Sequence, residues 1–316
     1  MSFDHSISRR NVFKGAGGLA VASALGAGAA LGATTPAHAA GVDVVEHQTY
    51  GRMEYYKVST PSIAWKPRVN VLLPDGYDSG RRYPVLYLLH GGAQNFMKFD
   101  KEDDIRGLTA GRDLIVVMPD GGIAGWYCNP VTANLGPRNW ETFHIEELIP
   151  WVDATFRTFP EQAGRAVSGF SMGGFGALKY TAKYYGHFAS VSSHSGPASL
   201  RSINGAVAHW ANASSTIDLG GGTVYGTPWD EARVSADNPV ERIESYRGKR
   251  IFLVSGTEAF DVNEGFVLPT QREFAAALDR AGIQYERHEE PGGHFVRRER
   301  LQQDIDGIIA HLRKAG

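Results

Sequence analysis

A single cysteine, Cys128, stands in the 316 residues. One thiol can close no intrachain disulfide, and by count it excludes sites built from several cysteines around a metal. Charge of one sign is also missing: 32 Lys and Arg against 34 Asp and Glu give a formal net charge of -2, with no basic run interleaved with aromatics. Nucleic acid is therefore not an expected partner. The chain also lacks a strongly hydrophobic run for a permanent membrane span, because its longest apolar stretch, near the N-terminus, is mostly Ala, Gly, Leu and Val. What remains, 42% hydrophobic and 21% charged residues, suits one large α/β domain.

The N-terminal stretch "SRRNVFKGAGGLAVASALGAGAALGATTPAHAA" sets Arg9 and Arg10 side by side, follows them with a small-residue apolar run, and ends at Ala37-His38-Ala39. That order predicts a twin-arginine signal peptide over residues 1–39, export without a stable membrane anchor, and a mature chain, 40–316, starting near Ala40. Twin-arginine export carries folded proteins, which agrees with a fold that needs no extracellular thiol oxidation.

Beyond the leader, "VVEHQTYGRMEYYKVST" and "KPRVNVLLP" tend to alternate apolar with polar, as half-buried antiparallel strands do. "YPVLYLLHGG" and "DLIVVMPDGG" are continuous apolar runs stopped by glycines, as central strands buried on both faces should be. A helix is expected around Asp100 to Ala110, and "HIEELIPWVDATF" sets Ile145, Leu148, Ile149, Val152 and Phe156 on one helical face. "ASVSSHSG" and "RIFLVSGTE" read as further buried strands, "TQREFAAALDRAG" as a helix stopped at Gly282, "IQYERHEEP" as a last alternating strand, and "RRERLQQDIDGIIAHLRKA" as a closing helix. This alternation predicts a mostly parallel sheet with helices on both faces. Residues 201–248, rich in Gly, Ser, Asn and Trp, break it and are expected to form an irregular insertion, either a lid or a surface excursion.

In the middle lies "GFSMGG". Gly169, Ser171 and Gly173 fit the G-x-S-x-G elbow, with a strand pattern before and a helix pattern after. Serine is a poor nucleophile without a base, so Ser171 needs a histidine. Of the eleven histidines, His294 in "EEPGGHFV" follows the last strand on a glycine-flanked loop, whereas His288 lies in the strand pattern and His311 on the final helix. A carboxylate should orient that imidazole from the loop after "RIFLVSG", where Glu258, Asp261 and Glu264 compete on equal terms. The Met172 amide, directly after the serine, and an amide of the Gly91-Gly92 pair would serve as oxyanion donors. No metal cluster or cofactor motif is visible.

"VLYLLHGG", "VVMPDGG" followed by "WY", "NWETFHIEELIPWVDATF", "GFSMGG", "ADNPVERI" and "SGT" occur in the order found in the esterase family that includes the antigen 85 mycolyltransferases and esterase D-like hydrolases. The chain resembles that family over nearly the whole mature length, which implies the α/β-hydrolase fold. The resemblance aligns "NEGFVLPTQREF" with the segment carrying the mycolyltransferase glutamate, implying Glu264 as the acid, and it implies Gly92 as the second oxyanion donor. An esterase D-like aspartate would fall on Ala259. The mycolyltransferase Asp-Gly-Leu-Arg motif is replaced by His90, Gly91, Gly92 and Ala93, and Phe295 and Val296 stand where serine and tryptophan are usual. These departures remove residues expected to hold trehalose.

The leading expectation is a secreted serine esterase acting through an acyl-enzyme on a small-molecule, lipid or carbohydrate ester, without cofactor or metal. An acyltransferase of mycolyl or diacylglycerol type would use the same triad, and a non-catalytic carbohydrate-binding relative would not need one.

Overall fold

The apolar runs stopped by glycines become the middle of one sheet. The computed structural model describes residues 41–78, 80–258 and 260–316; the predicted signal peptide lies outside them. The strands are β1 (Asp43–Tyr50), β2 (Met53–Ser59), β3 (Arg68–Leu72), β4 (Val85–Leu89), β5 (Ile115–Pro119), β6 (Arg165–Phe170), β7 (Ser190–His194), β8 (Arg250–Gly256) and β9 (Glu286–Glu290). The helices are α1 (Lys98–Lys101), α2 (Ile105–Leu108), α3 (Trp140–Thr142), α4 (Ile149–Thr155), α5 (Met172–Lys183), α6 (Ser202–Leu219), α7 (Glu231–Asp237), α8 (Val262–Arg280) and α9 (Arg298–His311).

Among the described residues the sheet order is β1-β2-β3-β5-β4-β6-β7-β8-β9. Pairing is antiparallel from β1 to β5 and parallel from there on. Side chains on a strand alternate faces, so Leu86, Leu88, Val116 and Met118 pack with Phe99, Ile105, Leu301 and Ile305. Their neighbours Val85, Tyr87, Val117 and Val167 pack with Trp151, Phe175, Val207 and Phe274 on the other face. Helices thus cover both faces. Because β5 and β6 flank β4 on opposite sides, the order of the chain reverses there, and the crevice beyond the carboxyl ends of β4 and β6 is where an open α/β sheet binds ligands. No helix among the described residues is long and apolar enough to cross a membrane.

Four expectations need correction. β1 is exposed along its whole length rather than half-buried, because it is an edge strand; it is held by pairs such as His47 stacked on Tyr56 at 4.3 Å and Lys57 bonded to Glu46 at 2.7 Å. The helix expected around Asp100 is two single turns, α1 and α2. The helix expected from Thr270, α8, begins at Val262, two turns before that start, and runs through Pro269. Residues 201–248 are largely helical rather than irregular. Ser, Asn, Thr and Gly are weak helix formers, but the alanines interspersed among them are strong ones, and burial of Val207, Ala208, Ala211 and Leu219 fixes α6 as a helix. Its first turn is broken, with Ile203, Asn204 and Gly205 in the left-handed region.

"WETFHIEELIPW" folds as α3, a π-helical turn over Phe143–Leu148, and α4, with Pro150 in the first turn of α4. The wider turn precedes a proline that has no N–H to give, and Ile145, Leu148, Ile149, Val152 and Phe156 are all buried as their spacing predicts. It also buries His144, whose Nε2–H donates to the Asp120 carbonyl at 2.8 Å while Nδ1 accepts from the Tyr180 hydroxyl at 2.9 Å. Burial lowers the His144 imidazole to about 3. A group lowered in this way stabilises the fold fully above its unfolded value near 6.5 and loses that contribution, roughly 1.4 kcal/mol per pH unit, as pH falls toward 3. His144→Gln should therefore flatten the decline of melting temperature between pH 6.5 and 4.5; equal slopes in wild type and variant would refute this.

Behind the elbow helix, Lys179 is fully buried, 2.6 Å from Glu141 and 3.6 Å from Asp237, and Lys183 reaches the same carboxylates at 2.6 and 2.7 Å. The lysines hold the Glu141 carboxyl down at about 2 against the burial that would raise it. The quartet fastens α7 to α5. Cys128 lies against it, fully buried, 3.3 Å from Lys179 Nζ, and burial raises its thiol to about 12.

Candidate active site

Ser171 leaves β6 with φ 55 and ψ −120, a conformation that strains any residue with a side chain, and α5 begins at the next residue. The turn is possible only between glycines. A Cβ on Gly169 would sit 2.3 Å from the Gly173 carbonyl oxygen, and one on Gly173 would sit 2.1 Å from that of Leu89. The Ser171 amide donates to the His194 carbonyl at 2.8 Å, which locks the elbow to β7.

His294 arrives from the loop after β9, and its Nε2 lies 2.7 Å from Ser171 Oγ. Its Nδ1 lies 3.1 Å from Oε1 of Glu264, in the first turn of α8. The hydrogen-bond network assigns the tautomer: Nδ1–H donates to the carboxylate, leaving Nε2 to accept from the serine hydroxyl. Glu264 is 1% exposed, and its second oxygen finds no donor among the described residues. The three residues singled out in the sequence thus form one chain of contacts. Of the two competing carboxylates, neither Glu258 nor Asp261 hydrogen-bonds to the ring among the described residues.

Met172 and Gly92 border the same cavity as Ser171 and His294, a space of about 440 Å³. Met172 opens a twelve-residue helix, so its amide points outward with the positive end of the helix dipole behind it. The loop carrying Gly92 is held by His90, a residue that sequence reasoning used only as a departure from a motif. His90 Nδ1–H donates to the Gly91 carbonyl at 2.7 Å, and Nε2 accepts from the Gly121 amide at 2.9 Å. The Ala93 amide bonds to the Ile123 carbonyl at 2.8 Å, leaving the Gly92 amide without an acceptor among the described residues. Of the pair, Gly91 is the more crowded: a Cβ there would lie 2.8 Å from Gln94 Oε1 and 3.2 Å from the Ser171 Cβ, whereas at Gly92 the nearest atom would be 3.7 Å away.

A family model described as "Putative esterase" matches residues 60–311. The chain belongs to that esterase family. Its relatives include esterase Rv1288 of Mycobacterium tuberculosis (strain H37Rv), 65% identical over 275 residues, which are 84% of this chain and 60% of the relative. The chain thus spans about three-fifths of the length of that protein. The MPT51/MPB51 antigen of Mycobacterium bovis is 26% identical over 255 residues, covering 74% of this chain and 80% of the antigen. Among solved structures, Mycobacterium tuberculosis MPT51 superposes with TM-score 0.69 at 19% identity, over 85% of this chain and all (100%) of that one. An S-formylglutathione hydrolase from Agrobacterium tumefaciens gives 0.68 at 17%, over 86% of this chain and 100% of the hydrolase. The fold is that of the α/β-hydrolases.

The walls of the cavity come from the "WY" segment and from the 201–248 insertion. Trp126 and Tyr127 both adopt positive φ, 49 and 55, and this strained turn lets Trp126 face the cavity and donate from its indole N–H to Ser214 Oγ at 2.9 Å. From α6, Trp210 and Ile217 complete the wall, with the Trp210 ring 5.1 Å from that of Trp126. The insertion thus lines the site.

Asp261 has a task different from the one the sequence left open to it. Its Oδ2 accepts from the His294 amide at 2.9 Å, while Oδ1 accepts from Asn263 and Glu264 amides at 2.9 and 3.3 Å, so one carboxylate ties the histidine loop to the helix that carries Glu264. Burial raises its carboxyl, but the three amides outweigh this and hold it below the ordinary carboxylate range. Asp261→Ala should lower kcat on a short ester by about 10- to 100-fold through misplacement of the histidine. It should also cost about 1 kcal/mol as the α8 cap is lost. A kcat within twofold of wild type would show that His294 needs no such tether.

Proposed function

We propose that this esterase is a serine carboxylic ester hydrolase that is exported by the twin-arginine route and works through an acyl-enzyme. The observation that carries the reading is the unbroken contact from Glu264 through His294 to Ser171, opening into a cavity bordered by the Met172 and Gly92 amides. Ser171 Oγ attacks the ester carbon as His294 Nε2 takes its proton. The charge that forms on the carbonyl oxygen is met by the Met172 and Gly92 amides, a pair in which each donor is worth about 3 kcal/mol of barrier. His294 then gives the proton to the departing alcohol, and Glu264 stabilises the imidazolium in between. Water, activated by the same histidine, releases the acid and restores Ser171.

The test is covalent. A fluorophosphonate should inactivate the purified protein in proportion to labelling, and mass spectrometry should find a single adduct on Ser171. Full labelling with activity retained, or an adduct elsewhere that accounts for the loss, would end the reading. Adding an alcohol acceptor to the same assay separates hydrolysis from acyl transfer by the product formed.

A further inference from the structure

Most amphipathic helices hide one apolar face, but α6 carries a second. Val207, Ala208, Ala211 and Leu219 go into the core, while Ala206, Trp210, Ala213 and Ile217 recur at helical spacing on the solvent side. Ile217 is 75% exposed, and Val262 on the facing first turn of α8 is 73% exposed. Between the two helices runs a groove of about 530 Å³, bordered by Ile203, Ala206, Trp210, Ala213, Val262 and Phe266. Its polar lining is limited to Asn204, His209 and Asn263, without an Asp, Glu, Lys or Arg. Trp210 and Asn263 border this groove and the catalytic cavity alike, so the groove begins where the ester would sit.

We infer that the α6–α8 groove is a subsite for an unbranched alkyl chain of the ester substrate. The inference rests on the serine-esterase reading, since it places the chain relative to Ser171. An anionic or strongly hydroxylated group would find no charged partner there. An alkyl chain would exchange water for Trp210, Ala213 and Phe266, and each methylene so transferred tightens binding about fourfold. Continuity with the cavity sets the occupant: the chain must belong to the molecule whose ester carbon reaches Ser171. The chain can enter from the acyl or from the alcohol side.

The experiment measures kcat/KM below the critical micelle concentration along two series. One varies the acyl group of p-nitrophenyl esters from two to ten carbons; the other varies the alcohol of acetate esters over the same lengths. A rise of about fourfold per carbon, roughly 16-fold for every two, is expected in one series while the chain still fits the groove, and which series it is identifies the side that enters. Ala213→Glu and Ala206→Glu each place a carboxylate in the groove and should reduce the ratio of ten-carbon to two-carbon rates by more than tenfold. Flat profiles in both series from an active enzyme would overturn the subsite while leaving the esterase reading intact. So would a ratio unchanged in both variants, or a rise that appears only above the micelle threshold, which would assign the apolar face to a lipid surface. Loss of all ester turnover together with no labelling of Ser171 would remove both.

Discussion

Ser171→Ala is expected to lower kcat on p-nitrophenyl acetate by about 10⁶-fold, the scale on which serine enzymes respond to loss of the nucleophile. The reason is chemical rather than architectural. Alanine keeps the β-carbon, so the strained backbone at φ 55 is neither relieved nor worsened, and the amide bond to His194 survives. The melting temperature should therefore stay within about 2 °C of wild type, since the exchange removes only one partly covered hydroxyl. A second variant separates strain from chemistry. Ser171→Gly, equally inactive, should be more stable than Ser171→Ala by about 1 kcal/mol, because glycine alone adopts this conformation freely. A residual rate above one part in a hundred in a preparation free of other esterases would remove Ser171 from the mechanism.

Glu264→Gln should reduce kcat by about 10⁴-fold, a loss known when a triad acid becomes its amide. The 3.1 Å contact runs between Nδ1–H and Oε1. An amide can present its NH₂ there instead, which would turn Nδ1 into an acceptor and place the proton on Nε2, where it blocks the serine. Even with its oxygen toward the ring, the amide carries no charge to stabilise the imidazolium. Asp261→Asn and Glu258→Ala should lose far less. If Asp261→Asn proves inactive and Glu264→Gln does not, the acid is Asp261 after a rearrangement of this loop.

The nucleophile and base were legible in sequence because each sits on a local pattern. The elbow needs glycines at fixed offsets, and His294 follows the last alternating strand. The acid was not legible in this way: Glu258, Asp261 and Glu264 lie within seven positions of one another, and it is the folded loop, with Asp261 capping α8 and Glu264 buried in its first turn, that separates them. Family resemblance supplied that choice before geometry did. The sheet was readable from its apolar runs, whereas α6 was hidden by a composition that favours loops and is overruled by burial. His90, Trp126 and Trp210 went unassigned because their roles depend on contacts between distant segments, such as the 2.9 Å bond from Gly121 to His90.

Cys128 makes the protein its own unfolding probe. The thiol is fully buried, and it is held protonated by a value raised to about 12. A thiol-specific reagent can therefore react only when the packing around α5 and α7 opens, and reaction is faster by orders of magnitude once the group reaches its ordinary range near 8.5. With no other cysteine in the chain, the labelling rate of the native protein reads out a single opening event. Comparing that rate with the global unfolding free energy would show whether the quartet of Lys179, Glu141, Lys183 and Asp237 parts only when the whole molecule does, or comes undone earlier as a local foldon.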